Sequence, residues 1–324
     1  MRILAFTTLF PNPAQPLHGL FVRARLAALG RKTPVRVIAP VHGPRWLARG
    51  RRVRSVPPSE SHDGLRADHP RFFNFPRILK SWDARLLARC TRSAFRKAVE
   101  EFRPDLVDTH WAYPDGVAAA RLAREAGLPY CVTIRGDDVS VFLHTAPRRS
   151  QILDALNGSR RVIGVSAALV DAAVAAGVAR ERCAVVTNGI DPDLFHPEDR
   201  SRARAALELP ADRPLLLSVG HLCERKGFHL LVRALARLGS EAPLLAVVGG
   251  AGEEGDFERR LRAEVRRHGL EDRVLLPGPC PPERLRAWYS AADLFCLASS
   301  REGWPNVLLE AFACMGRIVE RVDR

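Results

Sequence analysis

Residues 293–313 read DLFCLASSREGWPNVLLEAFA: a short apolar run, a polar break around Gly303 and Pro305, then an apolar stretch long enough for two turns of helix. The run at 293–297 has the length and composition of a buried strand. Pro305 suits the first position of the following helix, where its missing N–H would be unpaired in any case. The amides of Asn306, Val307 and Leu308 would then point out of the helix start, and with the positive end of the helix dipole they offer a place for a diphosphate. Glu310 lies about 7.5 Å along the axis from Pro305, so it can meet another part of a phosphate-anchored nucleotide. A carboxylate there can accept hydrogen bonds from both hydroxyls of a ribose. Glu302, just before the helix, is placed to hold a sugar. Taken alone, the two glutamates are better explained by a charge complementing the dipole and a solvated helix carboxylate.

The strand–loop–helix unit repeats in both directions along the chain. Strands are expected at 2–6, 35–39, 106–109, 130–134, 162–165 and 184–187 in the first half, and at 215–219, 244–248, 274–276 and 293–297 in the second. Helical periodicity fills the gaps, which is the sequence form of βαβ units and places the chain in the α/β class with mostly parallel sheets. Val22, Leu26 and Leu29 form the buried stripe expected of the first helix. Asp115 is expected to cap a second helix that ends at Gly127. The turn-rich segment NGIDPDLFHPEDRSR (188–202) has no periodicity and marks a boundary near Ile190, giving domains 1–190 and 191–324. Two such sheets are expected to face one another across a cleft. The least regular stretch, 41–80, reads as solvated loop, with Arg45, Arg49, Arg51, Arg52 and Arg54 beside Trp46 offering an alternative: peripheral contact with an anionic membrane.

A chain of 324 residues with 47% hydrophobic and 27% charged residues has the material for two cores, not for a disordered segment. Its apolar runs all fall short of a membrane span, and the opening MRILAFTTLF reads as a first strand, so a cytoplasmic location is expected. Seven scattered cysteines without C-x-x-C spacing argue against a disulfide framework or a zinc site. The net charge of +14 favours anionic partners, but the few aromatics form no stacking platform and nucleic acid is not expected.

Other loops that follow strands carry candidate chemistry, since ligands of open parallel sheets bind beyond the carboxyl ends of strands. VGHLCERKGFHLLVRAL (219–235) places Arg225 and Lys226 before Gly227 and a helix. VVGGAGEEGDFERR (247–260) fits G-x-G-x-x-G at Gly250, Gly252 and Gly255. By itself that motif suggests NAD, but the next strand, RVLLPGP (273–279), ends without the acid a dinucleotide site requires. In the first half, Gly19 opens a helix, while THWAYPDG (109–116) and TIRGDDVS (133–140) bring His110, Arg135, Asp137 and Asp138 to strand ends.

The stretch SREGWPNVLLEA (300–311) closely resembles the Glu-x7-Glu signature of glycosyltransferase family 4. The resemblance implies a GT-B fold of two Rossmann-like domains and retaining transfer from an NDP-sugar, UDP or GDP most readily, to a glycan, lipid-linked or small-molecule acceptor. It implies that Lys226 matches the family lysine on the donor diphosphate, and that Glu302 and Glu310 contact the sugar and the ribose. Where the family often has Arg, this chain has His221, which makes Arg225 the candidate second cation. The resemblance further implies that Gly19 lets backbone approach the reacting groups, that Gly250 borders the donor cleft, and that His110 lies at the cleft mouth beside substrate. No cofactor or metal is expected. The resemblance spans residues 1 to about 316, after which ACMGRIVERVDR (313–324) replaces the family's next strand and helices, so the second domain is expected to be incomplete. Two alternatives stay open from the residues alone: a catalytically impaired nucleotide-binding remnant, and an NAD-dependent oxidoreductase.

Overall fold

A computed structural model describes residues 1–43, 56–75, 78–251, 257–315 and 318–320. The chain divides into two compact units, Met1–Asn188 and Gly189–Arg324, parting inside the turn-rich 188–202 segment.

The first unit is built on β1 (Ile3–Phe6), β2 (Val35–Ile38), β3 (Val41–His42), β4 (Ser59–His62), β5 (Leu65–Asp68), β6 (Arg71–Phe72), β7 (Leu106–His110), β8 (Tyr130–Ile134), β9 (Arg161–Gly164) and β10 (Cys183–Val185). Eight of these form one sheet in the order β10-β9-β8-β7-β1-β2-β5-β4. Every pair is parallel except β4 with β5. Such a sheet is buried on both faces, so β1 and β8 read as continuous apolar runs and are buried at every position. On one face Val22 and Leu26 of helix Leu20–Gly30 pack with Ala5, Val37, Leu65 and Ala67. Leu29, at the far end of the expected stripe, is only half-buried.

The stretch expected to be loop is partly sheet. Ser59–His62 and Leu65–Asp68 form a hairpin that extends the sheet beyond β2. Asp63 (φ 50°) and Gly64 (φ 77°) make its two-residue turn, the positive-φ pair for which Asp-Gly is suited. The arginine-rich segment from Arg45 to Arg54 lies outside the described residues.

The second unit comprises β11 (Leu215–Val219), β12 (Leu244–Val248), β13 (Val274–Gly278), β14 (Leu294–Leu297) and β15 (Ile318–Glu320), all parallel, in the order β13-β12-β11-β14-β15. The last of these pairs with β14 in the stretch where the sequence suggested that the family's next strand was missing. Two apolar clusters sandwich the sheet: Leu217, Tyr289, Phe295 and Ala311 on one side, Phe228, Val232, Leu245 and Leu261 on the other.

Both strand orders reverse direction once. In the first unit β1 lies between β2 and β7; in the second, β11 lies between β12 and β14. The loops leaving β1 and β7, and those leaving β11 and β14, therefore diverge at the topological switch points where open α/β sheets form crevices.

Candidate functional site

In the second unit the loop after β11 descends into a turn of 3-10 helix, Glu224–Lys226, and Gly227 (φ 69°) opens helix Phe228–Arg237. A Cβ at Gly227 would overlap the Ala298 backbone carbonyl, so only glycine lets this loop lie against the one after β14. The close approach brings together three charged residues from two motifs that lie far apart in the sequence. Lys226 Nζ donates to Glu302 Oε1 at 2.6 Å, and Arg225 Nη1 lies 3.6 Å from Glu302 Oε2. Arg225 also donates to the Arg301 carbonyl at 3.0 Å, and its own carbonyl accepts from the Ser300 amide. The Lys226 side chain is 11% exposed and that of Glu302 17%, so the pair is shielded without being sealed. His221 sits exposed in the same loop. A cavity of about 210 Å³ lined by Glu224, Arg225, Gly227, His229, Ala298 and Ser300 adjoins the trio.

Helix Asn306–Cys314 begins one residue later than the sequence suggested. Pro305 is its N-cap, with φ −78° and ψ 96°, and not its first helical residue. Leu308 N–H donates to the Pro305 carbonyl at 3.0 Å, which removes it from the set of outward-facing amides and leaves Asn306 and Val307 at the tip. Glu310 accepts from the Tyr289 hydroxyl at 2.8 Å. Burial raises its pKa above the ordinary carboxylate range, and the tyrosine bond opposes that rise. Tyr289, which the sequence reading missed, is the residue that aims Glu310; it sits among aromatic core residues and carries no local signal of that role.

Gly250 packs against the Pro279 ring, and its carbonyl accepts from Leu222 N–H, tying the loop after β12 to the loop after β11. Gly252 and Gly255 lie outside the described residues. The strand after them, β13, runs into Pro279 and Cys280 with no acid at its end.

The switch point of the first unit holds a different kind of cluster. Asp115 is not a helix cap: the helix Val117–Glu125 starts without a side-chain cap. Its carboxylate is fully buried and accepts from Thr8 N–H at 2.6 Å and from the Thr8 and Thr7 hydroxyls at 3.0 and 3.3 Å. Burial pushes its pKa up to about 7 against the pull of those bonds, and the nearby Asp138 adds to the rise. Asp138 is likewise buried and accepts from the amides of Ala112, Arg135 and Gly136. His110, expected at the cleft mouth, has no exposed area. Its Nδ1 accepts from Arg135 Nη2 at 2.9 Å, which makes the ring neutral, and its Nε2 lies 3.3 Å from Asp108 Oδ2. Burial lowers the His110 pKa, and Arg135 reinforces that against the pull of Asp108. Gly19 (φ 69°) caps helix Leu20–Gly30, and the group its missing Cβ admits is the Leu9 backbone carbonyl. Asp137 is half-buried in the first turn after Gly136.

Residues 21–194 match the family description Glycosyltransferase Family 4, and residues 199–319 match Glycosyl transferases group 1. The chain belongs to glycosyltransferase family 4. Among curated relatives of this family-4 chain is the putative teichuronic acid biosynthesis glycosyltransferase of Bacillus subtilis, 29% identical over 97% of this chain and 79% of the relative. A D-inositol 3-phosphate glycosyltransferase of Xylanimonas cellulosilytica is 36% identical over 48% of this chain and 41% of its own length. Most of the other curated relatives are likewise matched over about half their length or less. Sucrose-phosphate synthase from Thermosynechococcus elongatus superposes with a TM-score of 0.76 at 21% identity, covering 99% of this chain and 81% of that one. Anabaena HepE, solved in complex with UDP-glucose, gives 0.73 at 22%, covering 99% and 80%. These structures share the fold, and the fold of this family-4 chain is GT-B.

None of the seven cysteines is in a disulfide. Among the described residues no group of three or more His, Cys, Asp or Glu could hold a metal ion, and no helix is long and apolar enough to cross a membrane.

Proposed function

We propose that the chain is a retaining glycosyltransferase that moves a sugar from an NDP-sugar, with UDP or GDP as the nucleotide, to a glycan, lipid-linked or small-molecule acceptor. The carrying observation is the Lys226–Arg225–Glu302 cluster at the switch point of the second sheet, beside the start of helix Asn306–Cys314. A diphosphate arriving there offers the two cations a stronger anionic partner than Glu302. Lys226 then neutralises the charge that grows on the diphosphate as its bond to the anomeric carbon breaks. Glu302, freed from its ion pair, accepts hydrogen bonds from hydroxyls of the transferred sugar. Glu310, aimed by Tyr289, accepts from the ribose. In the retaining reading the acceptor oxygen bonds the anomeric carbon from the face the phosphate leaves, and its proton passes to the departing phosphate oxygen. No resident metal or cofactor enters this scheme, because the lysine and arginine supply the positive charge. The UDP-glucose bound to Anabaena HepE and the surface-polymer name of the Bacillus subtilis relative support this choice of donor and acceptor class.

A peripheral position on an anionic membrane face fits the same reading. Phe73, Phe75, Ile78, Leu79 and Trp82 are all exposed within ten residues of sequence, and Arg85 stacks over Trp82 at 5.8 Å. Aromatic and aliphatic side chains beside arginines suit the boundary between headgroups and acyl chains.

The test is a thermal-shift panel of UDP-, GDP- and ADP-sugars with NADH as the contrast, followed by measurement of NDP release. Stabilisation by one nucleotide-sugar and release of its NDP are expected; stabilisation by NADH alone would defeat the proposal.

A further inference from the structure

Arg135 is a half-buried cation without a carboxylate partner among the described residues. It leaves the carboxyl end of β8 beside β7, and its guanidinium lies 5.0 Å over the Phe21 ring. Its two recorded side-chain bonds go to neutral acceptors, His110 Nδ1 at 2.9 Å and Asn188 Oδ1 at 3.2 Å. Its Nε has no partner at all among the described residues. A guanidinium has five N–H donors, and a buried one is ordinarily matched to a carboxylate or phosphate. The two acids within reach are committed elsewhere. Asp138 is saturated by three backbone amides, one of them that of Arg135 itself. Asp108 is separated from the guanidinium by the neutral His110 ring.

A second cation faces the same place. Arg25 stands one helical turn after Phe21 on helix Leu20–Gly30, so the two side chains are neighbours on that helix. Arg25 is half-buried, and it has no recorded ion pair among the described residues. Burial first, and the field of Arg25 next, lower the Arg135 pKa to about 10. The same field reaches His110 and Asp108. Two guanidiniums that repel one another, one of them with a buried Nε lacking a partner among the described residues, are stabilised when an anion lies between them.

We propose that Arg25 and Arg135 form an anion subsite at the carboxyl ends of β7 and β8, and that it receives the carboxylate or phosphate of an acidic acceptor sugar. This rests on the glycosyltransferase reading and adds to it the chemical class of the acceptor. Phe21 forms the floor of the subsite, against which a sugar ring can stack. His110 is a positioning residue: it fixes the plane of the Arg135 guanidinium through Nδ1, with its other nitrogen 3.3 Å from Asp108.

The experiment titrates the full chain, with UDP at saturation, against inorganic phosphate, glucose 6-phosphate, glucuronate and glucose, using calorimetry. Saturable binding of at least one charged sugar is expected, at least tenfold tighter than that of glucose. Arg135→Gln and Arg25→Gln should each weaken it tenfold or more while leaving UDP affinity within twofold. If Arg135→Gln fails to fold, Arg25→Gln, on the partly exposed side, decides alone. Glucose bound as tightly as glucose 6-phosphate and glucuronate, or charged-sugar affinities unchanged in folded variants, overturns the subsite. UDP that does not bind the parent chain counts against the transferase reading instead, and the anionic sugars, titrated without it, still report on Arg25 and Arg135.

Discussion

Two shielded arginines, one buried in the second unit and one half-buried in the first, are held in opposite ways. Arg204 in the second unit is 3% exposed and donates to the carbonyls of Ala291, Pro210, Ala211 and Arg213 and to Asp293 Oδ2. Asp293 in turn accepts from Leu215 N–H, so this guanidinium knots the starts of β11 and β14 together at the amino end of the sheet. Arg135 sits at the carboxyl end of the other sheet with neutral partners and a bare Nε. Burial lowers the pKa of both. The contrast separates a cation whose donors are consumed by the fold from one whose donors remain for something else. The same distinction runs between the acids. Asp115 and Asp138 are tied by backbone amides and hydroxyls, while Glu302 is tied, among the described residues, to two cations that an incoming diphosphate also attracts.

The largest effect is expected where the fold has used every donor. Arg204→Met should cost about 3–5 kcal/mol, because four carbonyls lose their donor together and Asp293 loses one of its two arginines. A urea midpoint within error of the parent would erase the contrast between the two arginines. Lys226→Ala should lower turnover on the order of 10²–10³-fold, the usual loss for a group that meets charge developing in the transition state, with the circular dichroism spectrum unchanged. Equal rates of NDP release in variant and parent would move Lys226 from the chemistry to the fold. Glu310→Gln should weaken nucleotide binding by about 1–3 kcal/mol, since an amide accepts less strongly than a carboxylate. Calorimetry showing an unchanged affinity would leave Glu310 as a partner of Tyr289 only.

Asp115 probes the first unit through pH. Its pKa is about 7 in the folded chain, against about 3.9 for an unfolded aspartate. The folded state therefore holds its proton longer, and stability from this group is fully present below pH 4 and lost as pH rises towards 7. The slope is about 1.4 kcal/mol per pH unit in that window. Asp115→Asn should flatten this portion of the stability curve, measured by denaturant melts from pH 4.5 to 7.5. The smallest effect belongs to Arg135→Gln, which should change stability by about 1 kcal/mol, because its loss strands no carboxylate and forfeits two bonds to neutral acceptors and the contact with Phe21.

The residues by themselves determined the α/β class, the strands from β11 to β14 and the loops that carry Lys226, Arg225 and Glu302. Each of these is a local property: a short apolar run, a periodic stripe, a glycine or proline at a fixed offset. The Asp-Gly turn at 63–64 was also legible, but lay in a stretch without strand-like periodicity and passed for loop. What only the tertiary structure decided is which local pieces meet. Lys226 and Glu302 are 76 positions apart, and Thr8 and Asp115 are 107 apart. Parallel strands are joined by crossovers that leave no pairing signal in the intervening sequence, so partner and burial depend on the strand order alone. That order places the strand ahead of His110 between two others and closes the ring off from solvent, turns Asp115 from an expected cap into a buried acceptor, and leaves Arg135 half-buried beside a neutral imidazole with its Nε unpartnered among the described residues.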